Sequence, residues 1–164
     1  MLNVFITNLG KYNEGELVGE WVELPASEEE LDAVYERIGI NEEYEEIFIT
    51  DFESDIDGVT VDEYANIDEL NELAEDFEAL DDYERETVSA IIEATGYDVR
   101  ECMEMRGDVT FYSGMDLSDV AYEIVTECYD LPEIAERYFD YDAFGRDLSF
   151  DGYTETSNGV VAIY

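Results

Sequence analysis

The N-terminal stretch from Asn3 to Trp21 constrains the fold more than any other. Val4 and Ile6 alternate with Asn3, Phe5 and Thr7, the period-two pattern of a half-buried strand. Asn8, Gly10, Asn13 and Gly15 then supply turn chemistry, because Gly and Asn tolerate positive φ. Val18 to Leu24 returns as a second strand and carries Trp21, the only Trp. A sheet is therefore begun by the first residues of the chain. Lys11, in the polar turn, is the only Lys, and the other cations are six Arg.

Beyond this hairpin the pattern alternates between helical and strand periods. Pro25 ends the second strand, and Ser27 with Glu30 forms a capping box. Leu31, Val34, Tyr35 and Ile38 recur at helical spacing, which predicts a helix over 28–38 stopped by Gly39. Glu45 to Phe52 reads as a third strand, with Ile47 and Ile49 alternating against Phe48 and Thr50. Ile67, Leu70, Leu73, Ala74, Phe77 and Leu80 mark a helix starting near Asn66 or Asp68. Tyr83, Thr87, Val88, Ile91 and Ile92 mark another, stopped at Gly96, and a short third one covers about 98–105. Val109–Tyr112 reads as a strand, followed by a long amphipathic helix from near Asp116 to Cys128. Pro132 fits the first turn of a further helix, with Ile134, Ala135, Tyr138 and Phe139 as its apolar face. Asn158-Gly159 is a strong signal for a closing hairpin. The expected class is α+β, in three small domains: 1–60 with a sheet and one helix, 61–105 all-helical, and 106–164 again α+β.

Carboxylates dominate the composition. Asp and Glu number 46 against 7 Lys and Arg, with no His, for a formal charge of -39 over 164 residues. Apolar residues still make up 46%, enough for folded cores, so acidity does not imply disorder here. The acids are spread evenly, 17, 16 and 13 in the three expected domains, so there is no acidic tail. Such a field repels DNA, RNA and anionic membranes and attracts basic protein surfaces. The chain has no apolar run of transmembrane length, and its first residues lack the basic and apolar regions of a signal peptide. Cys102 and Cys128 fit no metal or CxxC spacing and read as free buried thiols of a cytoplasmic protein.

Catalysis finds little support. Without His there is no Ser-His-Asp triad, Cys-His pair or His metal ligand, and no P-loop or GxGxxG follows a strand. Among so many acids, close carboxylate pairs are inevitable and carry no information. The chain is expected not to be an enzyme and to hold no cofactor. Glu53-Ser-Asp55-Ile-Asp57-Gly58 approaches a calcium loop, but Glu53 stands at the first position and Tyr64 at the twelfth, so a solvated inter-domain loop is the better reading.

Three readings of the charge remain. One is a hydrated halophilic coat, against which the 13 Tyr and 8 Phe weigh mildly. A second is a general acidic decoy or chaperone for a basic protein. The third is imitation of nucleic acid. At one carboxylate per phosphate, -39 matches roughly 66 Å of duplex, about 20 base pairs, and a two-fold dimer about 40. A single globule of this length would be only about 40 Å across, so a good mimic would have to be elongated. The regular carboxylate rows lie on helices: Glu28, Asp32 and Glu36; Glu69, Glu72 and Asp76; and Glu123 with Glu127.

Asn8-Leu-Gly-Lys-Tyr-Asn-Glu-Gly-Glu-Leu-Val-Gly-Glu-Trp21 and Tyr138-Phe-Asp-Tyr-Asp-Ala-Phe-Gly-Arg-Asp-Leu148 both resemble the ArdA antirestriction family. Thr60–Tyr64, Asp68–Asn71, Asp119–Ala121 and the hairpin around Ser157–Gly159 extend the likeness over essentially the full chain. The resemblance implies a DNA-mimic inhibitor, carried on mobile elements, of type I restriction-modification enzymes. It implies elongated homodimers of three-domain subunits that occupy the DNA-binding groove of the methyltransferase core. The family's antirestriction motif, tied to dimerisation, falls on Tyr129 to Tyr141, which makes Tyr138, Phe139 and Tyr141 candidates for the dimer contact.

Overall fold

Strand β1 (Leu2–Asn8) is the centre of the first sheet, and its alternation explains why. Leu2, Val4 and Ile6 are fully buried on one face. The computed structural model describes residues 1–164. After β1 come a short helix α1 (Leu9–Asn13), strand β2 (Gly19–Leu24), helix α2 (Glu28–Ile38), strand β3 (Ile47–Ser54) and helix α3 (Ile67–Glu78). The sheet order is β2-β1-β3, all antiparallel. The polar turn expected over residues 8–15 is in part helical, because buried Asn8 caps α1 by accepting from the Lys11 amide at 3.0 Å. In α2 the Ser27–Glu30 capping box forms as expected, and Gly39 closes the helix at φ 80.

β3 departs from simple alternation. Its register against β1 shifts between Phe5, opposite Asp51, and Ile6, opposite Ile49, so Thr50 is the extra residue of a bulge. Phe48 and Ile49 point to opposite faces and are both buried: Ile49 pairs with Ile6 on the core side, and Phe48 pairs with buried Thr7 and meets the rings of Tyr12 and Tyr64. Asn71 of α3 both accepts from and donates to the backbone of Ala26, at 2.7 and 3.1 Å, and so pins α3 beside the β2–α2 link.

The second half contains α4 (Asp82–Thr95), α5 (Val99–Met105), β4 (Thr110–Ser113), α6 (Leu117–Cys128), α7 (Glu133–Arg137), α8 (Tyr141–Leu148), β5 (Tyr153–Thr156) and β6 (Gly159–Ala162). Its sheet has the order β4-β6-β5, again antiparallel. Every residue of central β6 is buried, because both faces are covered. Val160 packs with Val120, Ala121 and Leu148 of α6 and α8. α4 also contacts all three strands, and Tyr83 on it donates to the Phe111 carbonyl at 2.8 Å. Two-sided burial explains the unbroken apolar run Val160-Val161-Ala162.

With eight helices and two three-stranded sheets the fold is α+β. The chain divides into two compact units, Met1–Leu80 and Asp81–Tyr164. α3 falls in the first and α4 and α5 in the second, so this division does not confirm a separate central domain over 61–105. A fully buried Leu, Ile or Val contributes roughly 1.5–3 kcal/mol, and an exposed ion pair about 0–1 kcal/mol. The apolar cores therefore hold the fold, not the few ion pairs.

Three expectations are corrected. Cys128 is exposed at the end of α6, and only Cys102 is buried. The apolar residues after Pro132 do not form one helical face: Pro132 sits at the N-cap of α7, and Ile134, Ala135 and Tyr138 are exposed. A new helix starts instead at Asp140, which accepts from the Ala143 amide at 2.9 Å. The closing hairpin forms between β5 and β6 as expected, but it turns on Ser157 and Asn158 rather than Asn158 and Gly159, since Thr156 pairs with Gly159. Gly159 belongs to β6, where a Cβ would come within 2.3 Å of the Tyr112 carbonyl oxygen.

Candidate functional site

The helical carboxylate rows follow from amphipathic burial. In α2, Leu31, Val34 and Ile38 are buried. Glu28, Asp32 and Glu36 are exposed, one turn apart and hence about 6 Å along the axis. α3 repeats the arrangement, with Ile67, Leu70, Leu73 and Ala74 buried and Glu69, Glu72 and Asp76 exposed. In the second unit α6 buries Val120, Ala121 and Val125, leaves Glu123 half-buried and exposes Glu127.

Tyr35, half-buried on α2, has its hydroxyl pKa pushed up first by burial and then by the charges of Asp68 on α3 and Asp32 on α2. The tyrosine thus stands in the field of carboxylates from both helices.

None of the 46 Asp and Glu is buried, and all are exposed except half-buried Glu20, Glu84, Glu123 and Glu136. The few cations are largely taken up internally. Arg37 grips Glu20 with two hydrogen bonds of 2.9 and 2.8 Å, which hold that carboxyl below its usual pKa. Arg106 pairs with Glu84 at 3.2 Å, Arg85 with Asp82 at 3.9 Å and Arg137 with Glu133 at 3.8 Å. The Met1 amino group pairs with Asp55. Hydrogen bonds also lower Glu30, from Ser27, and Glu93, from Ser157. Lys11 reaches the C-terminus of α2: its Nζ lies 2.6 Å from where a Cβ of Gly39 would stand, a place the helix dipole favours for a cation. This supplies the reason for the single Lys that the sequence left without one.

The aromatic candidates separate. Tyr138 is 77% exposed. Phe139 and Tyr141 are half-buried, with ring centroids 4.9 Å apart. Phe139 also meets Phe144 at 5.9 Å, and Tyr141 meets Tyr122 at 5.2 Å and packs on the α6–α8 core. Exposed apolar residues that the sequence did not single out include Tyr129, Phe150 and Tyr164. Phe150 and Tyr164 lie outside any periodic segment, so no pattern could have placed them.

The calcium-like stretch from Glu53 begins in the last two residues of β3. Its Ile56 is buried, and Tyr64 stacks on Phe48 at 6.3 Å. No group of three or more His, Cys, Asp or Glu side chains is arranged to hold a metal ion. A cavity of about 330 Å³ beside α1 is lined by Leu9, Gly10, Asn13 and residues 42–46, four of them Glu. No helix is long and apolar enough to cross a membrane.

The sequence model of a family described as "Antirestriction protein (ArdA)" matches residues 4–162. No curated protein matches the chain.

Proposed function

The chain belongs to the ArdA antirestriction family, and from that premise we propose that it inhibits type I restriction-modification enzymes by imitating B-form DNA. Membership implies an antirestriction function and engagement of restriction-modification enzymes. The finer reading is occupancy. Carboxylates on α2, α3 and α6 contact Lys and Arg that otherwise hold phosphate in the methyltransferase core, and DNA is excluded competitively. No bond is made or broken.

One observation carries this reading: every acidic side chain is at least partly exposed, while the paired arginines are committed to neighbours in the same chain. The outward field is therefore almost purely negative, as is that of a duplex. It also disfavours binding nucleic acid directly. We place the action in the cytoplasm and the working form as a homodimer. Exposed Tyr138 is the dimer contact of choice, with Phe139 and Tyr141 supporting it from the subunit core.

The test is inhibition of a purified type I enzyme, alongside binding to unrelated basic proteins at the same ionic strength. Selective inhibition supports the reading. Indiscriminate binding without inhibition would favour a general acidic decoy or chaperone.

A further inference from the structure

We infer that the open face of the first sheet is a docking surface for an arginine-bearing segment of a basic protein. In this contact Trp21 takes the guanidinium plane, Glu23 receives its N–H groups, and Asp51 and Glu53 hold the neighbouring cation of the segment. The inference deepens the proposed function and rests on it only in taking the partner to be a basic protein.

The sheet register builds the surface. On one rung Asn3 stands between Glu23 and Glu53. On the next outward-facing rung Phe5 stands between Trp21 and Asp51. Rungs two residues apart are separated by about 6.7 Å, and neighbouring strands by about 4.8 Å. Trp21 and Glu23 thus fall within the reach of a single arginine, and Asp51 and Glu53, two strands away at about 10 Å, within that of the next cation on the same segment. Leu2, Val4 and Ile6 are buried on the opposite face; on this one the Thr7–Phe48 rung is buried beneath Tyr12 and Tyr64, and the end carrying Asn3 and Phe5 is left open. Trp21 is 43% exposed, and Phe5 meets it edge-to-face at 5.4 Å and 68°, which fixes the indole.

Imitating phosphate requires carboxylates and gives no role to an exposed indole. Arginine gives it one. A guanidinium is weakly hydrated, stacks on an aromatic face and donates from its edge in the same pose, whereas an ammonium does so less well. Charge complementarity excludes an anionic occupant. It also disfavours a second copy, which would set Glu23, Asp51 and Glu53 against their own equivalents.

Trp21 is the only Trp, so its emission reports on this face alone. The full chain is titrated with an oligoarginine and an oligolysine peptide of equal length at equal ionic strength. Oligoarginine is expected to change the Trp21 emission and to bind about two- to fivefold tighter than oligolysine. Trp21→Leu should abolish that preference and leave oligolysine affinity unchanged. Unchanged wild-type emission at saturating oligoarginine, or equal affinities for the two peptides, would overturn the proposal without need of any variant. So would an arginine preference that survives Trp21→Leu, or an emission shift with protein concentration alone, which would place a second copy on this face. If the chain failed to inhibit any type I enzyme, the occupancy reading would fall while this titration still decided the arginine contact.

Discussion

Asn8, fully buried, donates its side-chain amide to the carbonyl oxygens of Ile38 at 3.1 Å and Gly39 at 3.2 Å. Its own side-chain oxygen accepts from the Lys11 amide. One residue thereby joins the end of β1, the start of α1 and the C-terminus of α2. Removing it leaves the Ile38 carbonyl without its donor at a buried site and the Lys11 amide without its acceptor, while the Gly39 carbonyl keeps a donor in Asn41. Asn8→Ala is expected to lower stability by about 2 kcal/mol, read as a lower urea midpoint at unchanged slope. Asn8→Asp should cost more, because a carboxylate would face two carbonyl oxygens.

The approach of α8 to α6 gives a steric prediction. A Cβ on Gly145 would lie 2.7 Å from the Leu117 carbonyl oxygen, a backbone atom that cannot swing aside. Gly145→Ala should therefore destabilise the second unit by roughly 1–3 kcal/mol. Gly107→Ala is the control, since a Cβ there meets nothing within 4 Å and should be close to neutral in thermal unfolding.

A pH effect follows from Glu93 on α4, which accepts from the Ser157 amide at 3.0 Å and from its hydroxyl at 2.7 Å. These bonds hold the Glu93 pKa below its ordinary value of 4.5 in the folded state. The group whose folded pKa is depressed stabilises fully above the unfolded value and loses that contribution as pH falls through the folded one. Hydrogen exchange at the Ser157 amide should accelerate as pH drops below 4.5, relative to the exchange of an unstructured peptide. In Glu93→Gln the same step should be absent.

Local signals in the sequence were legible where one side chain decides the outcome. Ser27 with Glu30 and Asn66 mark helix starts, and Gly39 and Gly96 mark helix ends, because capping is short-range chemistry. The apolar faces of α2, α3 and α6 were legible for the same reason. Features set by distant partners were not. The bulge at Thr50 depends on register against β1, and α4 joins the second sheet through Tyr83, Glu86 and Glu93, whose partners lie 27 to 64 residues away. Of the candidate site, the exposure of the α2 and α3 carboxylates could be read from periodicity. The half-burial of Glu123 could not, nor could the contrast between exposed Tyr138 and its packed neighbours Phe139 and Tyr141.

Inhibition should be distributed over many charges. Exposed charge contacts are each worth about 0–1 kcal/mol, so Glu28→Gln alone should change the affinity for the target enzyme by no more than about fivefold. Glu28→Gln, Asp32→Asn and Glu36→Gln together should weaken binding progressively and make it less salt-dependent. Circular dichroism would confirm that α2 survives. A lone neutralisation that abolished inhibition would instead point to a localised site.

Equilibrium competition between the protein and labelled DNA for a type I methyltransferase core is the most direct measurement. Competitive occupancy predicts that the apparent Kd for DNA rises linearly with protein concentration, that excess DNA fully restores DNA binding, and that both effects fade together as salt is raised. A ternary complex of enzyme, DNA and protein, or inhibition that excess DNA cannot reverse, would contradict it.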